Sequence, residues 1–420
     1  MSIFRSLKGV LAGGGEETGT EEEQGRVESV RNALIYGDIE ARWNAIRAAG
    51  ELGDAFIDPL IHALQDEHWI IRRGAAQTLA AIGAPAVPPL IEMLGCEDDS
   101  VRREVLRAFV AIGEPAVDPL IRALSRDSAA IRQGAAQILG QMGVDRAVRP
   151  LIEALRDPDP GVRREAALAL KQAGHPDAVG PLVTLLGDES GYVRIAAAEA
   201  LCSLGTVAID PLVAALAHPQ PELRQRAGLA LVSIGSPALD SLLAALGHED
   251  PLIRQGAAGV LGRIGDSRAV QALIRLLGDR ERKVRQEAVR ALAALGYPSI
   301  PSLVTAFREG DVIVRNCAME ALWLIGGPAI RPLIEVLDDP SGEVRQRTAL
   351  LLGEMGDPSA TEALARVLTD PVPAVRREAF EALEKIRKNQ QASGNQAKAG
   401  NSQETGRERA AEGKKKGGAW

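Results

Sequence analysis

Five histidines (His62, His68, His175, His218, His248) and three cysteines (Cys96, Cys202, Cys317) are the residues of this 420-residue chain best suited to metal or nucleophilic chemistry. None falls in a spacing that such chemistry needs. A metal site needs several imidazole, thiolate or carboxylate groups converging on one point. The only His-Glu dipeptide is His248-Glu249, in a turn, and no C-x-x-C occurs. Gly-rich phosphate loops and the G-x-S-x-G elbow are also absent. Three Cys in such a length exclude a disulfide framework and fit a reducing compartment, so a cytoplasmic protein is expected. No catalytic, metal or cofactor residue is assigned.

The residue that does recur is an arginine. Arg42, Arg72, Arg102, Arg132, Arg163, Arg194, Arg224, Arg254, Arg285, Arg315, Arg345 and Arg376 follow one another at 30 or 31 residues. The residue before each is Ile, Val or Leu in eleven of the twelve. Ala stands three after it in ten, and Leu seven after it in ten. Offsets of −1, +3, +7 and +10 trace one stripe of a helix with 3.6 residues per turn. Gly follows at +11 in eleven copies, from Gly53 to Gly356, where a helix ends in the left-handed conformation that caps its free carbonyls. Pro often comes two residues later (Pro85, Pro115, Pro237), where a second helix starts without needing that N–H. Copies such as Gly143-Val144-Asp145-Arg146-Ala147-Val148 spend one residue more in the turn than Gly83-Ala84-Pro85-Ala86-Val87, which accounts for the 31-residue spacings.

The unit is therefore helix, Gly turn, helix, polar turn, and each pair must stack on its neighbours to bury its apolar face. The expected fold is all-α: an α-solenoid of about twelve two-helix repeats over residues 26–387, on the order of 100 Å long at roughly 8–10 Å per packed helix. This explains a composition that is 46% hydrophobic with only 12 aromatics, yet holds 43 Gly and 24 Pro. Residues 1–25 read as a flexible N-terminal segment, Gly- and Glu-rich from 13 to 24. Residues 388–420 read as a disordered polar tail ending in Lys414-Lys415-Lys416. No run of about 18 apolar residues is present to span a membrane.

The stretch Asp157-Pro158-Asp159-Pro160-Gly161-Val162-Arg163-Arg164-Glu165-Ala166-Ala167-Leu168-Ala169-Leu170 closely resembles the HEAT repeat. The short, glycine-capped form is similar to the repeats of phycobilisome bilin lyase subunits, and the resemblance covers residues 26–387. It implies a ladder between repeats, made by the helix Arg and an acid six residues before it. That acid is Asp66, Asp157, Asp188, Asp279, Asp339 or Asp370, with Glu309 as a variant. The matching arginines are Arg72, Arg163, Arg194, Arg285, Arg345 and Arg376. Tyr36, Cys96, Arg126, His218 and His248 depart from the pattern. Arg suits such a place because its fixed fork bonds a carboxylate and turn carbonyls together.

The resemblance also brings two enzyme readings. One is a bilin lyase-like subunit, for which no chromophore cleft is marked. The other is deoxyhypusine hydroxylase, whose iron ligands are His-Glu pairs one and two residues after the Arg position. Here those positions read Arg103-Glu104, Gln133-Gly134, Arg164-Glu165, Gln286-Glu287 and Arg377-Glu378, without a histidine. The reading taken is a protein-interaction scaffold, expected to be monomeric, with its partner along the concave face. Positions one, five and eight or nine after the Arg should be exposed there. They give Arg47, Arg73, Arg103, Arg107 and Arg164 early in the chain, and Trp43 and Trp323 as aromatic anchors. Later repeats turn mixed or acidic (Glu199, Arg290, Glu320, Glu354, Glu381). Nucleic acid is disfavoured because the array is net acidic, whereas tracking a duplex takes a basic excess.

Overall fold

The computed structural model describes residues 16–391, and these form α-helices joined by 3₁₀ turns, without a strand among them. Residues 1–15 of the N-terminal segment and the Lys-rich tail from residue 392 lie outside the described residues. The chain divides between Ala208 and Ile209 into two compact units.

One repeat shows how the sequence builds the element. The helix Pro160–Ala173 opens on Asp159, whose carboxylate accepts the N–H of Val162, and Pro160 occupies the first turn, where no N–H is needed. Val162, Ala166, Ala167, Ala169 and Leu170 are buried along one side. Burying a leucine such as Leu170 contributes about 1.5–3 kcal/mol. Gly174 ends the helix, its N–H bonded to the Leu170 carbonyl. A 3₁₀ turn, Pro176–Ala178, then leads into the seven-residue helix Val179–Leu185, which buries Val179, Leu182 and Leu185. Seven residues are far too few for an independent helix, so its stability comes from packing on the long helices.

All eleven capping glycines have positive φ, but they fall into two classes. Gly143, Gly174, Gly265 and Gly356 are left-handed, as expected. The other seven, such as Gly83 (φ 83, ψ −132), turn the chain through the mirror-β region that is equally reserved for glycine. The left-handed four sit in the four 31-residue copies. There the added residue (Val144, His175, Asp266 or Asp357) is extended and itself caps the 3₁₀ turn. In three of these copies the neighbouring long helices also touch backbone to backbone. A Cβ on Gly140 would stand 2.6 Å from the Ala169 Cα, and one on Gly262 2.6 Å from the Ala291 Cα. Gly353 meets Ala382 in the same way.

Two elements extend past the bounds that composition suggests. Residues 16–24 belong to the helix Glu16–Tyr36. The last helix, 373–391, continues beyond residue 387. One stretch, 191–215, is long and apolar enough by length and composition to cross a membrane, but the Gly205 cap and a 3₁₀ turn divide it into helices of 14 and 7 residues that bury Val193, Ala197, Leu201 and Leu212 among the packed helices.

Candidate functional site

The recurring arginine makes two sets of bonds, which the sequence pattern had merged. Its Nη1 donates to the carbonyls five and six residues earlier, in the turn that precedes its own helix. Arg72 bonds the Asp66 and Glu67 carbonyls at 2.6 and 2.9 Å, and Arg194 those of Asp188 and Glu189 at 2.9 and 2.8 Å. Arg285 and Arg376 reach the carbonyls of Asp279 and Asp370 at 2.7 Å. Because the acceptor is backbone, four of the five departing residues keep this contact: Cys96, Arg126, His218 and His248 each give a carbonyl to their arginine, and among the described residues Tyr36 does not.

The Nε–Nη2 edge of the same guanidinium points to the next repeat. It grips the carboxylate 25 residues on in the pairs Arg132–Asp157, Arg163–Asp188, Arg254–Asp279 and Arg345–Asp370, with bonds of 2.7 to 3.0 Å. These are the four 31-residue copies. In the 30-residue copies, Asp66 pairs with the repeat arginine Arg42 at 3.0 Å, whereas Asp339 pairs at 2.6 Å with Arg308 of the preceding helix Ile300–Glu309, and the repeat arginine Arg315 takes Glu343 at 2.8 Å. The Asp370 carboxyl is held below the usual carboxylate range chiefly by its bond from Arg345. Burial alone would raise Asp157 and Asp279, but the arginine bonds and a backbone N–H outweigh it and lower both.

On the long helices of the first unit, Arg47, Arg73, Arg103, Arg107 and Arg164 are all exposed. Arg47, Arg73 and Arg103 have no carboxylate partner among the described residues, and Arg103 bonds only the Asp99 carbonyl at 3.2 Å. Arg107 bonds Glu104 at 2.6 Å and Arg164 bonds Glu165 at 2.5 Å. Both glutamates are buried. Burial pushes the Glu165 carboxyl up, and Glu104 Oε2 has no hydrogen-bond partner. Arg103 lines a cleft of about 470 Å³ with Gln133, Gln137 and Glu165, and the cleft does not take in the other four arginines. Trp43 is half-buried, with its ring against Gly74 of the next long helix. Trp323, in the second unit, is 51% exposed.

The second unit has a larger cleft, about 750 Å³, formed by the long helices Pro221–Ile234, Pro251–Ile264 and Arg282–Leu295. Its walls carry Gln225, Gln255 and Gln286, each at the position directly after the repeat arginine, together with Arg263, Lys283 and Arg290. Of these, sequence reasoning weighed only Arg290 as an exposed position, and it did not see the cleft. The signal was available: aligned on the repeat arginine, five consecutive copies carry a primary amide at this position, continuing to Asn316 and Gln346.

The three cysteines form no disulfide and are half-buried, and burial raises the Cys317 thiol. Among the described residues no three His, Cys, Asp or Glu side chains gather as a metal-holding group.

Against known proteins, the HEAT-repeat family profile matches residues 27–95, 87–157, 148–231, 209–293 and 330–394. The PBS lyase HEAT-like repeat matches 284–309. An uncharacterized phycocyanin operon protein Z of Pseudanabaena tenuis is 27% identical over 120 residues. That segment is 26% of this chain and 59% of the relative's length. Among solved structures, human deoxyhypusine hydroxylase in complex with glycerol is 24% identical, with 58% of this chain and 96% of that one covered and a TM-score of 0.25. A Kap121p mutant is 12% identical, with 90% and 51% covered and a TM-score of 0.40. Importin beta is 14% identical, with 89% and 63% covered and a TM-score of 0.34.

Proposed function

The chain belongs to the HEAT-repeat family, and from that premise we propose that it is a cytoplasmic scaffold that binds a protein partner on the exposed side of its long helices. The observation that carries this reading is the set of exposed arginines in the first unit. Arg47, Arg73 and Arg103 project from helices that a chain of net charge −7 could equally have covered with acids, and none is neutralised by a carboxylate among the described residues. Exposed, unpaired guanidinium groups are ready donors for a partner's carboxylates and speed its approach. Arg107 and Arg164, tied to buried glutamates, are held in place and still offer free N–H groups. Half-buried Trp43 adds an apolar anchor in the same unit.

The test is affinity purification from the native cell, with the wild-type chain and with Arg73, Arg103 and Arg107 all changed to Glu. Loss of a discrete protein from the variant supports the reading, and an unaltered set of co-purified proteins overturns it.

A second reading, a subunit acting on chromophore-bearing proteins, is supported by the likeness to the phycocyanin operon protein. Colour retained on the purified chain after co-expression with a bilin supply is its test, and a colourless product counts against it.

A further inference from the structure

We propose that the cleft in the second unit binds an extended, acidic peptide segment of a partner protein. The inference rests on the protein-binding reading above but uses a different site. Gln225, Gln255 and Gln286 stand in one row across three adjacent helices and line one cleft. None of the three amides is used in a hydrogen bond within the described chain. A primary amide donates and accepts at once, so it pairs with both the N–H and the C=O of a peptide group. A helical ligand has no such groups to offer, because its backbone bonds are internal. Packed helices lie roughly 8–10 Å apart and an extended chain advances about 3.3 Å per residue, so neighbouring amides would meet peptide groups about three residues apart.

Gly259 lowers the wall at the centre of the cleft: the nearest atoms a Cβ there would meet belong to the Glu287 side chain, with its Oε1 at 2.9 Å, so a backbone can approach this helix once that side chain turns aside. Charge then selects the side chains. Arg224, Arg263, Lys283 and Arg290 line the cleft against one acid, Glu287, which Arg290 already holds at 2.6 Å. Arg263 and Lys283 are exposed and have no carboxylate partner among the described residues. Arg224 has none on its Nε–Nη2 edge, because His248 stands where Asp279 serves Arg254. An excess of cations over acids fits Asp and Glu side chains flanking the bound backbone. A single-stranded nucleic acid would use aromatic platforms for its bases, and no aromatic residue lines this cleft.

The experiment pans a random 12-residue peptide display library against the full chain and measures enriched peptides by fluorescence anisotropy. Enrichment of Asp and Glu is expected. So is a loss of affinity of about tenfold or more in Gly259→Leu and in the double variant Gln255→Ala, Gln286→Ala, as two or more hydrogen bonds disappear. Methylating the peptide's backbone nitrogens should weaken binding to a similar extent. The glutamine variant alters only cleft-lining surface residues and keeps the test open if Gly259→Leu does not fold. The proposal is overturned if no peptide enriches, if basic peptides enrich, if neither variant weakens binding, or if a 12-nucleotide oligo(U) binds more tightly than the acidic peptides. A native partner that still co-purifies while the cleft variants leave peptide binding unchanged would remove the cleft and keep the scaffold.

Discussion

Replacing Asp279 by Asn should loosen one joint of the second unit and leave its neighbours intact. Arg254 is 6% exposed and holds Asp279 through Nε and Nη2 at 2.8 and 2.9 Å, while its Nη1 keeps the carbonyls of His248 and Glu249. Removing one partner of a buried pair typically costs about 3–5 kcal/mol, because the other charge is left without compensation. Two features reduce that here: the retained carbonyl bonds, and the amide oxygen of Asn, which can still accept the Glu281 N–H that Asp279 now takes at 2.8 Å. We expect about 2–4 kcal/mol, or roughly 30- to 1,000-fold in the local opening equilibrium, at 1.4 kcal/mol per factor of ten. Global melting is a poor readout, since stacked repeats need not unfold as one. Native-state hydrogen exchange on the helices Pro251–Ile264 and Arg282–Leu295 reads the joint itself. Glu354→Gln, which removes the exposed pair with Lys385, should shift exchange no more than about twofold. If Asp279→Asn accelerates exchange less than about threefold, or equally in every repeat, the ion pair does not hold the joint.

Three further outcomes follow from the same packing. Leu201→Ala, at a fully buried stripe position, should cost about 2–5 kcal/mol in the local opening of the helix Gly191–Leu204, read by native-state hydrogen exchange, and unchanged exchange there would refute the placement of that stripe. Gly140→Val should open the contact with Ala169, where the backbone leaves no room for a Cβ, and speed hydrogen exchange in the helices Ala129–Met142 and Pro160–Ala173. Gly161→Val, whose Cβ would meet mostly side-chain ends of Asp159 and Gln133, should cost less. Acid should undo the joints with a defined sign. Asp157, Asp279 and Asp370 have folded pKa values below the unfolded value of about 3.9. Their contribution is therefore complete above about pH 4 and lost as pH falls through the folded values. A titration by circular dichroism from pH 6 to pH 2 should show Asp279→Asn losing less stability below pH 4 than the wild type.

Much of this was legible because one solution is written twelve times. The +3 position is buried in every copy and −1 and +7 in nearly all, whereas +10, at the helix end, is mostly half-buried, and Gly ends eleven of the twelve arginine helices because no other residue takes positive φ cheaply there. What the pattern hid is geometric. The acid six residues before an arginine shares a turn with it, so the two look like a pair. In the fold the Asp157 carbonyl serves its own Arg163 and its carboxylate serves the preceding Arg132, while the Asp339 carboxylate serves Arg308, outside the repeat series. The added residue of the 31-residue copies looked like slack in a loop. It coincides with a different glycine conformation, the two-bond grip on the carboxylate and, in three of four copies, the closest helix contacts. The division after Ala208 falls at a Gly-capped turn like the others, so composition carries no mark of it. The face residues were findable by offset, but not the clefts, which depend on how three helices splay.

Arginine modification with phenylglyoxal, read residue by residue by mass spectrometry with and without the co-purified partner, tests the scaffold reading most directly. Protection of Arg47, Arg73 and Arg103 on partner binding is the expected result, with the buried Arg254 unreactive in both states. If those three arginines react equally in the free and bound chain, the partner does not sit on this face.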